Sequence, residues 1–173
     1  MSSLDRLVVF LREQGGLIAS LLPAGSPTKP PSDAEPGPAQ LAGAGPRAAD
    51  HREQYELLIE TIYEGYLLHY EQPRVVCSAD QDLRLLVGDQ LYALGLSRLV
   101  ALGDVAAVAE LADVITLSAL ANGARDGELA RATWRAGARV VGWGASDSYT
   151  RAKELAFAGA PQAIEAMRTS IGS

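Results

Sequence analysis

Residues 82–122 read DLRLLVGDQLYALGLSRLVALGDVAAVAELADVITLSALAN, and the periodicity of this stretch decides the fold. Leu83, Val87, Leu91, Leu94 and Leu99 recur at three- to five-residue steps, and Val108, Leu111, Ala112, Ile115 and Ala119 form a second apolar stripe. The pattern predicts two consecutive helices joined at Leu102-Gly103-Asp104. Glycine adopts left-handed dihedrals just past a helix end at no steric cost, and Asp104 can accept hydrogen bonds from the free N–H groups of the next helix. A tight αα-hairpin follows. Gly88 and Gly95, one heptad apart, permit close approach of a neighbouring helix, and Asp89, a carboxylate on an apolar helix, needs a partner or water.

Ala and Leu far outnumber aromatics in a chain of 173 residues that is 48% hydrophobic and 6% aromatic, which favours helix over sheet. The fold class expected is all-α, a helical bundle of about six helices with a tethered N-terminal helix. A formal charge of −6 argues against nucleic acid as a partner, because neutralising phosphates takes a basic surface. The single cysteine, Cys77, excludes an internal disulfide and a cysteine-based metal cluster, and it reads as a small apolar residue. No run reaches the roughly 18 to 20 uninterrupted apolar residues of a membrane span. The N-terminus also lacks the pattern of a signal peptide, so the expectation is a cytoplasmic protein.

Outward from the hairpin the chain divides at 22 and 49. Residues 1–22 carry an amphipathic helix with Leu4, Leu7, Val8, Leu11, Leu17, Ile18 and Leu21 on one side, weakened at Gly15-Gly16. It reads as a helix that docks on the core or as an arm reaching a partner or a membrane surface. Residues 23–49 hold seven of the nine prolines, with glycines and alanines and almost no large apolar side chain, and read as a disordered linker. Residues 50–173 form the helical domain. Within it Glu56, Glu60 and Glu64 repeat every four residues and read as a solvated acidic face. Arg131, Arg135 and Arg139 are the basic counterpart, suited to pairing with that face or to holding phosphate groups. Ser78-Ala79-Asp80-Gln81 matches a capping box that opens the hairpin.

The run Leu85-Leu86-Val87-Gly88-Asp89-Gln90-Leu91-Tyr92, then Leu99 to Asp104, then Leu111-Ala112-Asp113-Val114-Ile115, resembles the helix pair of trans-isoprenyl diphosphate synthases. The form it is most similar to is the non-catalytic small subunit of two-component heptaprenyl diphosphate synthases. There a segment ending in His precedes the Gly-Asp helix, as Tyr66-Leu67-Leu68-His69 does here. Catalytic members carry the magnesium-binding motif DDxxD; this sequence has no copy and runs His69-Tyr70-Glu71-Gln72-Pro73-Arg74 near its expected place. The resemblance implies an isoprenyl-synthase-like bundle that binds no metal or cofactor of its own, with magnesium held by a catalytic partner subunit.

By the same resemblance Val87, Leu91 and Leu94 line the subunit interface or the tunnel in which the prenyl chain grows, and His69 with Asp89 is the polar site to watch. No nucleophile and base are paired in the sequence, so the residues name no catalytic group. Two functions are expected: an accessory subunit that helps a catalytic subunit set prenyl chain length, or a helical adaptor of an assembly unrelated to isoprenoids. The N-terminal arm favours the adaptor.

Overall fold

The structure is a computed structural model describing residues 1–25 and 35–172. Its helices are α1 (Ser3–Gln14), α2 (Gly16–Ser20), α3 (Pro38–Gly43), a 3-10 turn (Pro46–His51), α4 (Arg52–Tyr70), α5 (Gln81–Ala101), α6 (Val105–Gly123), α7 (Gly127–Trp143), α8 (Asp147–Phe157) and α9 (Ala163–Ser170). All regular structure among the described residues is helical, as the composition predicts.

Local chemistry sets the boundaries. Gly15 and Gly16, both at positive φ, separate α1 from α2. Ser2 caps α1 in a capping box with Asp5. Asp80 caps α5, its carboxylate accepting from the amides of Asp82 and Leu83, so the cap sits two residues later than Ser78. Gly103 lies at φ 79° and Asp104 accepts from the Ala107 amide at 2.9 Å, which makes the joint between α5 and α6 as tight as expected.

The central helix is α4, with α5, α1 and α3 packed around it. Its contact with α5 is glycine-mediated. A Cβ on Gly88 would lie 2.6 Å from the His69 ring, and one on Gly95 would lie 2.3 Å from Ile62. Beyond it, α7 packs on α6, α3 and α9. A main core gathers Leu58, Ile59, Ile62 and Tyr66 of α4 with Leu99, Leu111, Val114, Trp134 and Val141. A second cluster holds α1 and α2 against Leu68, Val75, Val76, Val87 and Leu91. A third joins α7 to α8 and α9 around Tyr149 and Met167.

Two expectations are corrected, and one pair of alternatives is decided. The segment 23–49 is not linker throughout: residues 26–34 lie outside the described residues, but Ala39 and Ala42 of α3 and Ala48 of the 3-10 turn are buried in the main core. Small side chains there bury little area, yet they let backbones approach, and Gly142 of α7 meets the Ala42 carbonyl at van der Waals range. Of the two readings of the N-terminal helix, docking on the core is the one found, since Leu7 and Leu11 of α1 are completely buried and Ser3 and Arg6 bond to α4. The glutamate ladder is not solvated: Glu56, Glu60 and Glu64 are all buried.

Candidate functional site

The buried ladder organises the polar centre of the molecule. Glu56 takes Arg6 of α1 and, one turn away on its own helix, Arg52. Glu60 accepts from the Ser3 hydroxyl at 2.7 Å and pairs with Arg74 Nη2 at 2.7 Å. Glu64 Oε1 accepts three successive backbone amides, from Arg74 and Val75 at 2.8 Å and Val76 at 3.2 Å, while its Oε2 faces Arg74 Nε at 3.3 Å. A carboxylate has enough lone pairs for this load, and no neutral side chain of the same length matches it. Burial opposes the charge on Arg74, but Glu60 and Glu64 outweigh that and hold the guanidinium protonated. The Arg74 guanidinium also covers the Tyr63 ring at 5.0 Å.

Past α4 the same end of the helix carries an aromatic set. Tyr63 and Tyr66 pack on Trp134 with centroids 5.2 and 5.3 Å apart. The Tyr66 hydroxyl donates to Glu71 at 3.0 Å and accepts from Asn122 at 3.3 Å, and Arg131 reaches Glu71 at 3.4 Å. Burial pushes both tyrosine hydroxyls up, so they act as neutral donors throughout the physiological range. The carboxylates and the Tyr66 hydroxyl clasp residues 71–76 to α4, while the Trp134 indole N–H is buried without a hydrogen-bond partner among the described residues. They build a support, with little turned outward for a ligand.

His69 and Asp89, the two polar residues singled out in the sequence, are brought together. The imidazole Nε2 lies 3.1 Å from Asp89 Oδ1, too poorly aligned for a hydrogen bond. The ring stacks on Tyr92, centroids 5.3 Å apart and 9° from parallel, directly over Gly88. With its ring wedged between α4 and α5, His69 works as a packing residue at the crossing, while the Asp89 side chain is 73% exposed. Among the described residues no group of three or more His, Cys, Asp or Glu side chains is placed to hold a metal ion.

Val87 and Leu91 have no exposed surface; they pack under α1 in the second cluster, and Leu94 leans on the same cluster partly buried. They are interior residues of this subunit, packed against the docked α1. What α5 and α6 turn outward is different: Leu86, Ala93, Ser97 and Val100 on α5, then Val105, Ala109, Ala112, Thr116 and Leu120 on α6. Of these Val105 is 66% exposed and Leu86, Val100 and Leu120 are half exposed.

Asp89, 73% exposed beside Leu86, lies at one end of this surface, and from Gln90 to Asn122 no free charge interrupts it. Arg98 lies over the Phe10 ring of α1 at 4.3 Å. Asp104 takes Arg47, the Tyr55 hydroxyl and the Ala107 amide. Glu110 and Asp113 both receive Lys153 of α8 at 2.9 Å. Sequence inspection misses this surface because it shows where apolar residues fall, not which side the rest of the chain covers. The only signal was an apolar excess: α6 is long and apolar enough to cross a membrane, with mean hydropathy 1.5, yet only 33% of that window is buried.

No protein-family model matches the chain, and comparison with curated proteins and with solved structures likewise returns no match.

Proposed function

We propose that this protein is a non-catalytic accessory subunit that docks through the outer faces of α5 and α6 on a catalytic polyprenyl diphosphate synthase subunit and helps set the length of the prenyl product. The observation that carries the reading is the outward face of α5 and α6 beyond Asp89, which has no free charge from Gln90 to Asn122. All four charged residues between Gln90 and Asn122 are tied back into the chain, which leaves an apolar strip of small and branched residues. The core of a protein interface is depleted of charge in this way. The strip lies on the same helix pair that resembles isoprenyl synthases, and the sequence has no DDxxD motif to hold magnesium and diphosphate itself. Both facts support a partner that supplies the chemistry and the metal. The adaptor reading loses its main argument, since α1 is docked on α4.

The test is a pull-down of the tagged full chain from its native host. A partner with two DDxxD motifs is expected, and Ala112→Asp should weaken its binding by about 2 kcal/mol or more, roughly thirtyfold in Kd, with the helical circular dichroism unchanged. Recovery of an unrelated complex, or of a stable monomer, overturns the proposal and leaves an adaptor. Leu91→Asp is no test of docking, because Leu91 is core and its loss unfolds the subunit.

A further inference from the structure

A second surface has the opposite character. Between α7 and α9 lies an open cleft of about 540 Å3 whose walls bring together Arg131, Arg135 and Arg168, with Glu35 and Glu128 at its edge. Each arginine meets one glutamate, Arg131 Glu71, Arg135 Glu35 and Arg168 Glu128, so the cleft is locally neutral on a chain whose net charge is −6. Arg131 and Arg135 stand one helical turn apart on α7, between the face that enters the main core through Trp134, Ala138 and Val141 and the face that packs on α8 and α9 through Ala132, Ala136 and Val140, and Arg168 of α9 shares the cleft with them.

The present partners of these arginines are weak holders. Glu35 on Arg135 is 78% exposed, and Glu128 on Arg168 is 64% exposed at 2.9 Å. Glu71 touches Arg131 at 3.4 Å. Exposed pairs of this kind are screened by water and salt, and each uses only part of a guanidinium that carries five N–H donors. The C-terminal carbonyls of α9 would repel an anion, but at Ile171 the carbonyl is already occupied by Arg139 Nε at 2.7 Å. Tetrahedral phosphate, with several oxygens, can engage converging guanidinium forks that a single glutamate carboxylate engages one at a time. The volume falls in the range of small-molecule sites.

We propose that this arginine cleft binds a soluble phosphate-bearing small molecule, which displaces the Glu35 carboxylate from Arg135. The site is independent of the docking face on α5 and α6 and stands whether or not the accessory-subunit reading does. Inorganic pyrophosphate is the probe, titrated into the full chain while the arginine side-chain Nε–Hε resonances are followed by NMR. Saturable shifts at Arg131, Arg135 and Arg168 are expected. Arg135→Gln and Arg168→Gln should each weaken binding about tenfold, the effect of losing one charge-assisted hydrogen bond. Glu35→Gln should tighten it about threefold by removing the competitor. Glu35 and Arg168 are exposed and Arg135 is half-buried, so an unchanged melting temperature is the control that keeps the comparison clean.

The proposal is overturned if no saturable shift appears up to about 10 mM pyrophosphate, far weaker than any functional affinity. It is also overturned if both arginine variants bind as the parent does. A parallel arm with phosphatidylcholine vesicles, with and without phosphatidic acid, separates the sources of phosphate. Binding to the acidic vesicles with no response to pyrophosphate overturns a soluble ligand in favour of a lipid headgroup.

Discussion

Glu64 sits inside α4 with no exposed surface, and three backbone amides of residues 74–76 end on one of its oxygens. Glu64→Ala removes the acceptor and leaves those amides and Arg74 without it; a loss of about 3 to 5 kcal/mol is expected by urea denaturation. Glu64→Gln, which keeps one carbonyl oxygen, should lose less. Asp104 gives a pH signature. Burial opposes its ionisation, but hydrogen bonds from Tyr55, the Ala107 amide and Arg47 outweigh that and hold its carboxyl below the ordinary range. Its contribution is therefore complete above the unfolded-state pKa and disappears as pH falls through the lower folded value. The stability gap between the parent and Asp104→Asn should be full at pH 7 and close with acid, as measured by thermal melts; a gap constant down to pH 2 to 3 would contradict it. The cap at Asp104 was legible because cap and amide are neighbours in sequence. The ladder was misread because a four-residue glutamate repeat looks the same whether it faces water or Ser3, Arg6 and Arg74, which lie far along the chain.

The two helices α5 and α6, their tight joint and the glycine contact of α5 are readable because helical periodicity and turn chemistry are local, whereas the packing of α5 on α4 and of α6 on α7, in place of a hairpin packed on itself, is not. What also escaped was α3. Its residues are small and carry no apolar stripe, so composition pointed to a linker, while the fold uses that smallness for a backbone-to-backbone crossing with α7. A Cβ on Gly142 would sit 2.1 Å from the Ala42 carbonyl oxygen, and one on Gly45 would sit 2.1 Å from the Gly142 oxygen. Neither obstacle is a side chain that can swing aside. Gly142→Ala should destabilise by about 3 kcal/mol despite alanine's better helix propensity. Gly88→Ala meets the His69 ring, which can shift, and a net loss of about 1 kcal/mol is expected by the same denaturation assay. If the two variants lose equally, the backbone crossing is not the stricter contact.

For the molecule as a whole, all-helical architecture followed from an Ala- and Leu-rich composition, but the placement of its surfaces did not. The residues that the resemblance implies at an interface or tunnel, Val87, Leu91 and Leu94, are apolar, and in a bundle the most apolar residues are those the chain itself covers first. The outward strip of Ala93, Val105, Ala109 and Ala112 is weaker in hydropathy and becomes visible only once α4 and α7 have claimed the other sides of α5 and α6. The arginine cleft needs α9 folded back on α7, a contact with no local signature. The two surfaces carry opposite chemistry on different helices, so Ala112→Asp should leave pyrophosphate titration unchanged and Arg135→Gln should leave partner recovery unchanged. The docking of α1 also bears on synthesis. Its stripe leaves the ribosome before its cover: Leu68 of α4 follows roughly 60 residues later, some 3 to 12 s at ordinary elongation rates, and Val87 and Leu91 later still. Through that interval Leu4, Leu7 and Leu11 form a nascent apolar segment with no lid, the part of the chain on which a ribosome-associated chaperone has most to hold.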